Sequence, residues 1–534
     1  MKLNRAIIPV LTFLAVEMAG ANTITVTSTN DSGPGTLRDA LASANNGDTI
    51  DATGVSGAIQ LSGQLLVSTS VAILGPGSGA LEVEGGGGRV FHISPGQNVT
   101  IAGLTIANGH ATGSFPTNAG GGILNDHATL TVSNCVVGPN QATYGGGIYN
   151  FGEYYGNGSV TVINSSVSNN ESVYEGGGIY NDSEYNADGG ASLTVTNSTL
   201  SENHTYTSSY GGGIYNDAYA GKATVTVIAS TLGDENLAHW GGAIYNYAEQ
   251  GIGSVTVSAS TLKFNRAAYG GGIYNYGEYY GIGSVTVINS TFSFNSVGDG
   301  GGAIYNDGEG SEASASVTVN LSTFSDNSAN GAAGTYHDGG CIFNDGSNFG
   351  NARTQIGNTI LNAGESGANL ANLQGVFTSA GYNLSSDAGD GLLTATSDLI
   401  NTNPMLGPLQ DNGGPTLTYA LLPGSPAIDA GDPGFTPPPY FDQRGLGFQR
   451  VVNGRIDIGA FEVQTAGAPT LYISDSGNTV TVYWQNVSGW SLQQNNNLAI
   501  PANWSASGGV TTTNGTNYLN LASPTGNLFF RLKQ

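Results

Sequence analysis
The sequence predicts an all-β fold: a right-handed parallel β-helix with three faces, a helix capping its amino end and a small antiparallel β-sandwich at its carboxyl end. Three observations carry this. A hexad, Gly-Gly-Gly-Ile-Tyr-Asn at Gly145 to Asn150, returns eight times with small changes, beginning at Gly120, Gly145, Gly176, Gly211, Gly241, Gly270, Gly301 and Gly339. A second phrase, Ser284-Val-Thr-Val-Ile-Asn-Ser-Thr-Phe-Ser-Phe-Asn295, recurs between the copies. Within each unit apolar and polar residues alternate in three short β-prone runs, Gly-Ile-Tyr-Asn, Val-Thr-Val and Ser-Thr-Phe-Ser. The copies lie 25 to 38 residues apart, and a fixed motif at variable spacing marks stacked repeats whose insertions fall in loops.

Alternation assigns the faces. Neighbouring strand residues point to opposite sides, so Val160 and Val162 turn inward while Thr161 faces out. Stacking places like on like. Ile123, Ile148, Ile179, Ile214, Ile244, Ile273, Ile304 and Ile342 are expected to form one inward ladder. Val167, Leu200, Leu232, Leu262, Phe292 and Phe324 form another. The closing asparagines, Asn125 through Asn344, are expected to bond amide to amide up the stack, satisfying groups that are costly to bury alone.

Composition agrees with a solenoid. The 534 residues include 84 glycines, charged residues are only 10%, and the net charge is −25 with 13 Lys and Arg. Nucleic acid is excluded as a partner, because phosphate binding needs clustered cations. A calcium ion or a neutral glycan suits the charge better; no cofactor is called for. The two cysteines, Cys135 and Cys341, fall on distant repeats and are expected to be free, buried thiols.

Along the chain, residues 1–21 read as an export signal: Lys2 and Arg5, an apolar run over 6–16, and an Ala-x-Ala cleavage site ending at Ala21. No stretch is long and apolar enough for a membrane span. Residues 22–119 form the amino-terminal cap and first irregular rungs. Thr36 to Gly47 is the one convincing helix, with Thr36 and Asp39 as a capping box, Leu37, Ala40, Leu41 and Ala44 on one face, and Gly47 as its stop. Residues 120–375 hold the repeats, 376–463 a distinct region, 464–469 a linker, and 470–534 the sandwich, where Trp484, Trp490 and Trp504 cluster.

Asn30-Asp-Ser-Gly-Pro-Gly-Thr-Leu-Arg-Asp-Ala-Leu41 resembles the entry segment of secreted bacterial right-handed β-helix proteins, a pectate-lyase-like coil. The paired hexads and Ser-x-Phe-Ser-x-Asn phrases are similar to polymorphic outer-membrane-protein repeats. Asp411-Asn-Gly-Gly-Pro-Thr-Leu417, Leu422 to Gly431, Asp442-Gln-Arg-Gly445 and Arg455-Ile-Asp-Ile-Gly-Ala-Phe-Glu462 resemble the choice-of-anchor Q domain. These resemblances imply secretion and surface display. They imply no reaction, since the coil serves adhesins, lyases and hydrolases alike.

Candidate site residues lie in the loops after the hexads. Glu153, Glu184, Glu249, Glu278 and Glu309 would stack beside Tyr154, Tyr155, Tyr185, Tyr279 and Tyr280, with Asp217-Ala-Tyr219 filling the skipped unit. Rings stack on sugar faces and carboxylates bond hydroxyls, so the stripe suits a glycan; a solvated acidic face or a calcium site are the other readings. The hexad tyrosines are expected to stack structurally. For catalysis the only cations between the first and last hexads besides Lys222 are Lys263 and Arg266, with no matching acid cluster evident. The six histidines show no metal spacing. The sequence therefore favours non-catalytic binding or adhesion to polysaccharide or a cell envelope by an exported monomer. A polysaccharide lyase or glycoside hydrolase working in an outer groove, and a structural envelope spacer, are the alternatives.

Overall fold
A computed structural model describes residues 21–154, 156–185, 189–206, 208–310, 312–330, 339–464, 469–476, 479–487, 490–497, 504–513, 515–522 and 526–533. The export-signal segment up to residue 20, Tyr155, His337 and linker residues 465–468 lie outside them.

Each repeat contributes one strand to each of three long parallel sheets. The hexad strands, such as Ile148–Phe151, make an 11-stranded sheet; the Val-Thr-Val strands, such as Asn157–Ile163, make a 13-stranded one. The Thr-Phe-Ser strands, such as Thr291–Ser293, build the third. Equivalent residues pair in register from turn to turn: Ile148 with Ile179, Val160 with Leu193, Phe292 with Phe324. This is the predicted parallel β-helix. Its interior is one continuous apolar cluster, in which both expected ladders are buried. Cys135 and Cys341 are free and buried.

The corners explain the motif. In the first seven hexads the leading glycine has φ between 61° and 67°, a region costly to residues with a Cβ. At the second position, a Cβ on Gly146 would lie 2.5 Å from the carbonyl oxygen of Gly177 in the next turn. The asparagine ladder closes the hexad as expected. A second ladder runs through Asn140, Asn170, Asn203, Asn236, Asn265, Asn295 and Asn327, each amide donating to the next at 2.8 to 3.0 Å. A serine ladder joins Ser165, Ser198, Ser230, Ser260, Ser290 and Ser322, each backbone N–H donating to the next hydroxyl. The three faces are supplemented by short parallel strands at one corner, among them Gln141–Tyr144 and Glu171–Glu175.

The capping helix is shorter than predicted, Leu37–Ser43. Thr36 Oγ1 accepts from the Asp39 N–H as expected, while the Asp39 carboxylate accepts from the N–H of Gly35 rather than that of Thr36. The helix ends before Gly47 because the Asp48 carboxylate captures the Asn45 N–H at 2.8 Å. Its buried face, Leu37, Ala40 and Leu41, joins the solenoid core.

The coil continues past residue 375: Val376–Gly381 pairs with Ala352–Gly357, and Leu384–Ser385 with Ile360–Ala363. The following segment then doubles back over the third sheet. Gln443 donates to Thr261 Oγ1 at 2.8 Å and accepts from Thr291 Oγ1 at 2.6 Å, and the hydroxyls of Tyr419 and Ser293 are 2.6 Å apart. Beyond the linker, an antiparallel four-stranded sheet and a three-stranded one share a core of Val482, Trp484, Leu492 and Leu519.

Candidate functional site
The hexad tyrosines alternate with the inward isoleucines and so project from the outer face of their sheet. They are nevertheless buried, forming an apolar cluster separate from the core. Neighbouring rings stand 4.7 to 5.3 Å apart from Tyr149 to Tyr305, as the turn spacing dictates. Two flanking rows cover them. The residue before each hexad supplies Tyr144, Tyr210, Trp240 and Tyr269, and the residue after it supplies Phe151, Tyr247 and Tyr276.

Between these rows runs an outer groove of about 550 Å3. Tyr215, Tyr245 and Tyr274 line it together with the rings of Tyr210, Trp240, Tyr247 and Tyr276. Tyr210 and Trp240 stack with centroids 4.8 Å apart and 16° between planes. Its carboxyls are Glu175, Glu184, Asp217, Glu278 and Glu309, and no lysine or arginine lines it among the described residues.

Tyrosine hydroxyls bind the buried acids across turns. Tyr180 donates to Asp217 at 2.9 Å, Tyr274 to Asp307 at 2.6 Å and Tyr305 to Asp345 at 3.1 Å; Tyr149 donates likewise to Asp182. Where a tyrosine replaces the aspartate, as at Tyr247, its hydroxyl turns to Glu249 two residues on. Burial, reinforced by neighbouring carboxyls, pushes Glu175 and Glu184 up to about 8. Burial likewise raises Asp217 to about 6, against bonds from the Tyr219 N–H and the Tyr180 hydroxyl. The groove therefore holds protonated carboxyls as donors near neutral pH, beside aromatic faces. That combination suits the hydroxyls and apolar faces of a sugar.

The predicted residues are partly brought together. Glu249, Glu278 and Glu309 stack in register on adjacent turns, and Glu184, Tyr185, Glu278 and Glu309 line the groove. Beside Glu153, the Tyr154 N–H donates to the Glu184 carbonyl at 3.1 Å and joins that loop to the same edge. Tyr154 stacks on Tyr185 at 6.1 Å, and Tyr219 continues that row at 5.0 Å from Tyr185. Tyr279 and Tyr280 sit at an exposed loop tip outside the groove lining. Tyr155 is outside the described residues. Lys263 and Arg266 lie elsewhere, at the corner of the third sheet: Lys263 is ion-paired to Asp234, and Arg266 stands 4.0 Å from Glu235.

Sequence reasoning missed Glu175, Tyr210, Trp240, Tyr247 and Tyr276. The signal was the two positions flanking the hexad, where aromatic or acidic residues recur in most copies. It also missed a meeting of histidines. Asp126 lies 2.6 Å from His127 Nδ1 and 3.3 Å from His92 Nε2 on the preceding turn. Despite burial, those bonds hold Asp126 well below the usual carboxylate range, and the Asp126 bond raises His127. No group of three or more His, Cys, Asp or Glu placed to hold a metal ion occurs among the described residues.

No protein-family model matches the chain, and no curated protein matches it. Among solved structures it is similar to one described as a mannuronic acid specific polysaccharide family 6 lyase enzyme from human gut microbiota. The identity is 10% and the TM-score 0.32, over 69% of this chain and 88% of that one. The fold assignment rests on the strand register given above.

Proposed function
We propose that this chain is an exported, surface-associated β-helix that binds polysaccharide without cleaving it, along the aromatic groove of its hexad face. The observation that carries this reading is the groove itself: stacked Tyr and Trp rings with carboxyls between them and, among the described residues, no basic side chain in the lining. A lyase needs a base beside the uronate it deprotonates, with cations to offset the charge. The acidic lining supports a neutral chain as the occupant. The choice-of-anchor Q resemblance of 376–463 and the export signal ending at Ala21 support display outside the cell, on an envelope or matrix.

A second reading is supported by one feature. Glu175 and Glu184, both raised to about 8, face Asp217 at about 6. A protonated and an ionised carboxyl side by side is the pairing that glycoside hydrolysis uses.

The test applies residues 22–534 to immobilised neutral polysaccharides, with calcium and with chelator, and reads retention and new reducing ends in the same tubes. Retention without new ends, lost in Trp240→Ala, supports binding. New ends that vanish in Glu184→Gln support the hydrolase. Equal retention of wild type and Trp240→Ala overturns the groove as the site, and dependence on calcium would assign the acidic loops to an ion.

A further inference from the structure
On another side of the coil, the corner after the third sheet carries one residue per turn in the left-handed region: Asn169, Glu202, Asp234, Phe264, Phe294 and Asp326, with φ from 53° to 60°. Asparagine and aspartate tolerate that conformation; phenylalanine does so at a cost. Two turns nevertheless place phenylalanine there, and both rings are exposed, at 41% and 40%. They stack with centroids 4.9 Å apart and 2° between planes. Exposure and an unfavourable backbone argue against a packing role.

These rings lie in an open cleft of about 600 Å3. Its carboxylates are Glu202, Asp234, Glu235, Asp326 and Glu365, against Arg266 as the one basic lining residue among those described. The cleft already accepts a cation: the Lys263 ammonium is paired with Asp234 and sits 5.3 Å from the centre of the Phe264 ring. An ammonium between a carboxylate and an aromatic face is favourable on both counts.

We propose that this corner cleft is a second carbohydrate site, shaped for an extended amino-sugar polysaccharide whose protonated amines lie among the carboxylates while a sugar face packs on the Phe264–Phe294 pair. The periodicity favours a glycan over a basic peptide. The corner side chains recur once per turn, about every 4.8 Å, close to the advance of one sugar in an extended β-linked chain. Side chains on one face of an extended peptide recur about every 6.7 Å and fall out of step within two turns. The site is independent of the aromatic groove, which lies on the hexad sheet.

The test measures binding of a glucosamine hexamer and its N-acetylated counterpart to residues 22–534 at about pH 6, where sugar amines are protonated. Wild type is expected to prefer the free amine at least tenfold, with the preference shrinking in high salt. Phe264→Asn/Phe294→Asn restores the residue type that suits the corner. It is expected to abolish the preference with an unchanged or higher thermal midpoint, and the surface variant Glu235→Gln to weaken it several-fold. Trp240→Ala is expected to leave it intact. Equal binding of the two hexamers by wild type, or full binding by the double variant, would overturn the proposal. So would loss of binding in Trp240→Ala alone, which would assign the amine to the groove.

Discussion
Asn150 and Asn181 lie 31 residues apart in sequence, and the side-chain amide of the first donates to the side-chain oxygen of the second at 2.7 Å. The same bond links each hexad to the next at 2.6 to 2.8 Å, from Asn125 to Asn372. From Asn150 to Asn344 each asparagine thus donates to one neighbour and accepts from the other while fully buried. Replacing one in the middle leaves partners unsatisfied on both sides. Asn181→Leu is expected to cost about 1–3 kcal/mol in urea unfolding. Asn372→Ala, at the half-buried end of the ladder, is expected to cost less. Equal, small effects at both positions would show the ladder to be incidental.

The ladders were legible because they obey one rule: a parallel stack repeats its inside, so a recurring Ile, Asn or Ser in sequence is a column in space. The groove was only half legible. Glu184, Glu278 and Glu309 follow the hexad at similar offsets and could be aligned by eye. Loop length then decides which of them reach the groove. Tyr279 and Tyr280 take left-handed conformations, with φ of 41° and 70°, and turn to the loop tip. Tyr210 and Trp240 precede the hexad, where no motif drew attention, yet they wall the groove. The clasp over the third sheet was not legible at all. Gln443 and Thr261 are 182 residues apart, and no periodicity relates them.

The pH dependence of stability follows from the buried acids. Glu175, Glu184 and Asp307 are raised to about 8 by burial first and by neighbouring carboxylates. A raised carboxyl binds more protons folded than unfolded, so its stabilising effect is complete below the usual carboxylate range and is lost as pH rises through about 8. His127, raised by its bond to Asp126, acts in the same direction. The thermal midpoint is therefore expected to fall by at least a few degrees between pH 5 and pH 8.5. Glu175→Gln is expected to flatten that slope. A midpoint that rises over this interval would contradict the burial of these groups.

Groove and loop-tip aromatics are expected to differ in effect. Trp240 and Tyr276 line the groove, and Trp240 stacks on Tyr210; Tyr280 is 63% exposed outside it. Truncating a ring at a hot-spot position costs about 2 kcal/mol or more. Trp240→Ala is expected to weaken glycan binding at least tenfold by affinity electrophoresis, and Tyr280→Ala less than twofold. The reverse ranking would move the binding face to the loop tips.

Residues 403–463 are expected to act as a clasp that stabilises the turns they cover. Gln443 is the test point, since its buried amide bonds to Thr261, Thr291 and Thr416 at 2.6 to 3.0 Å. Gln443→Ala strands the Thr291 hydroxyl beneath the clasp and takes a donor from that of Thr261, which still donates to the Leu417 carbonyl oxygen. A loss of about 1–3 kcal/mol is expected, with faster amide exchange confined to the strands Thr261–Lys263 and Thr291–Ser293. Thr291→Val in the Gln443→Ala background removes the stranded hydroxyl and is expected to recover part of the loss. The double-mutant cycle then isolates the contact between clasp and coil. Additive losses, with exchange unchanged in those strands, would mean that the segment rests on the solenoid without holding it.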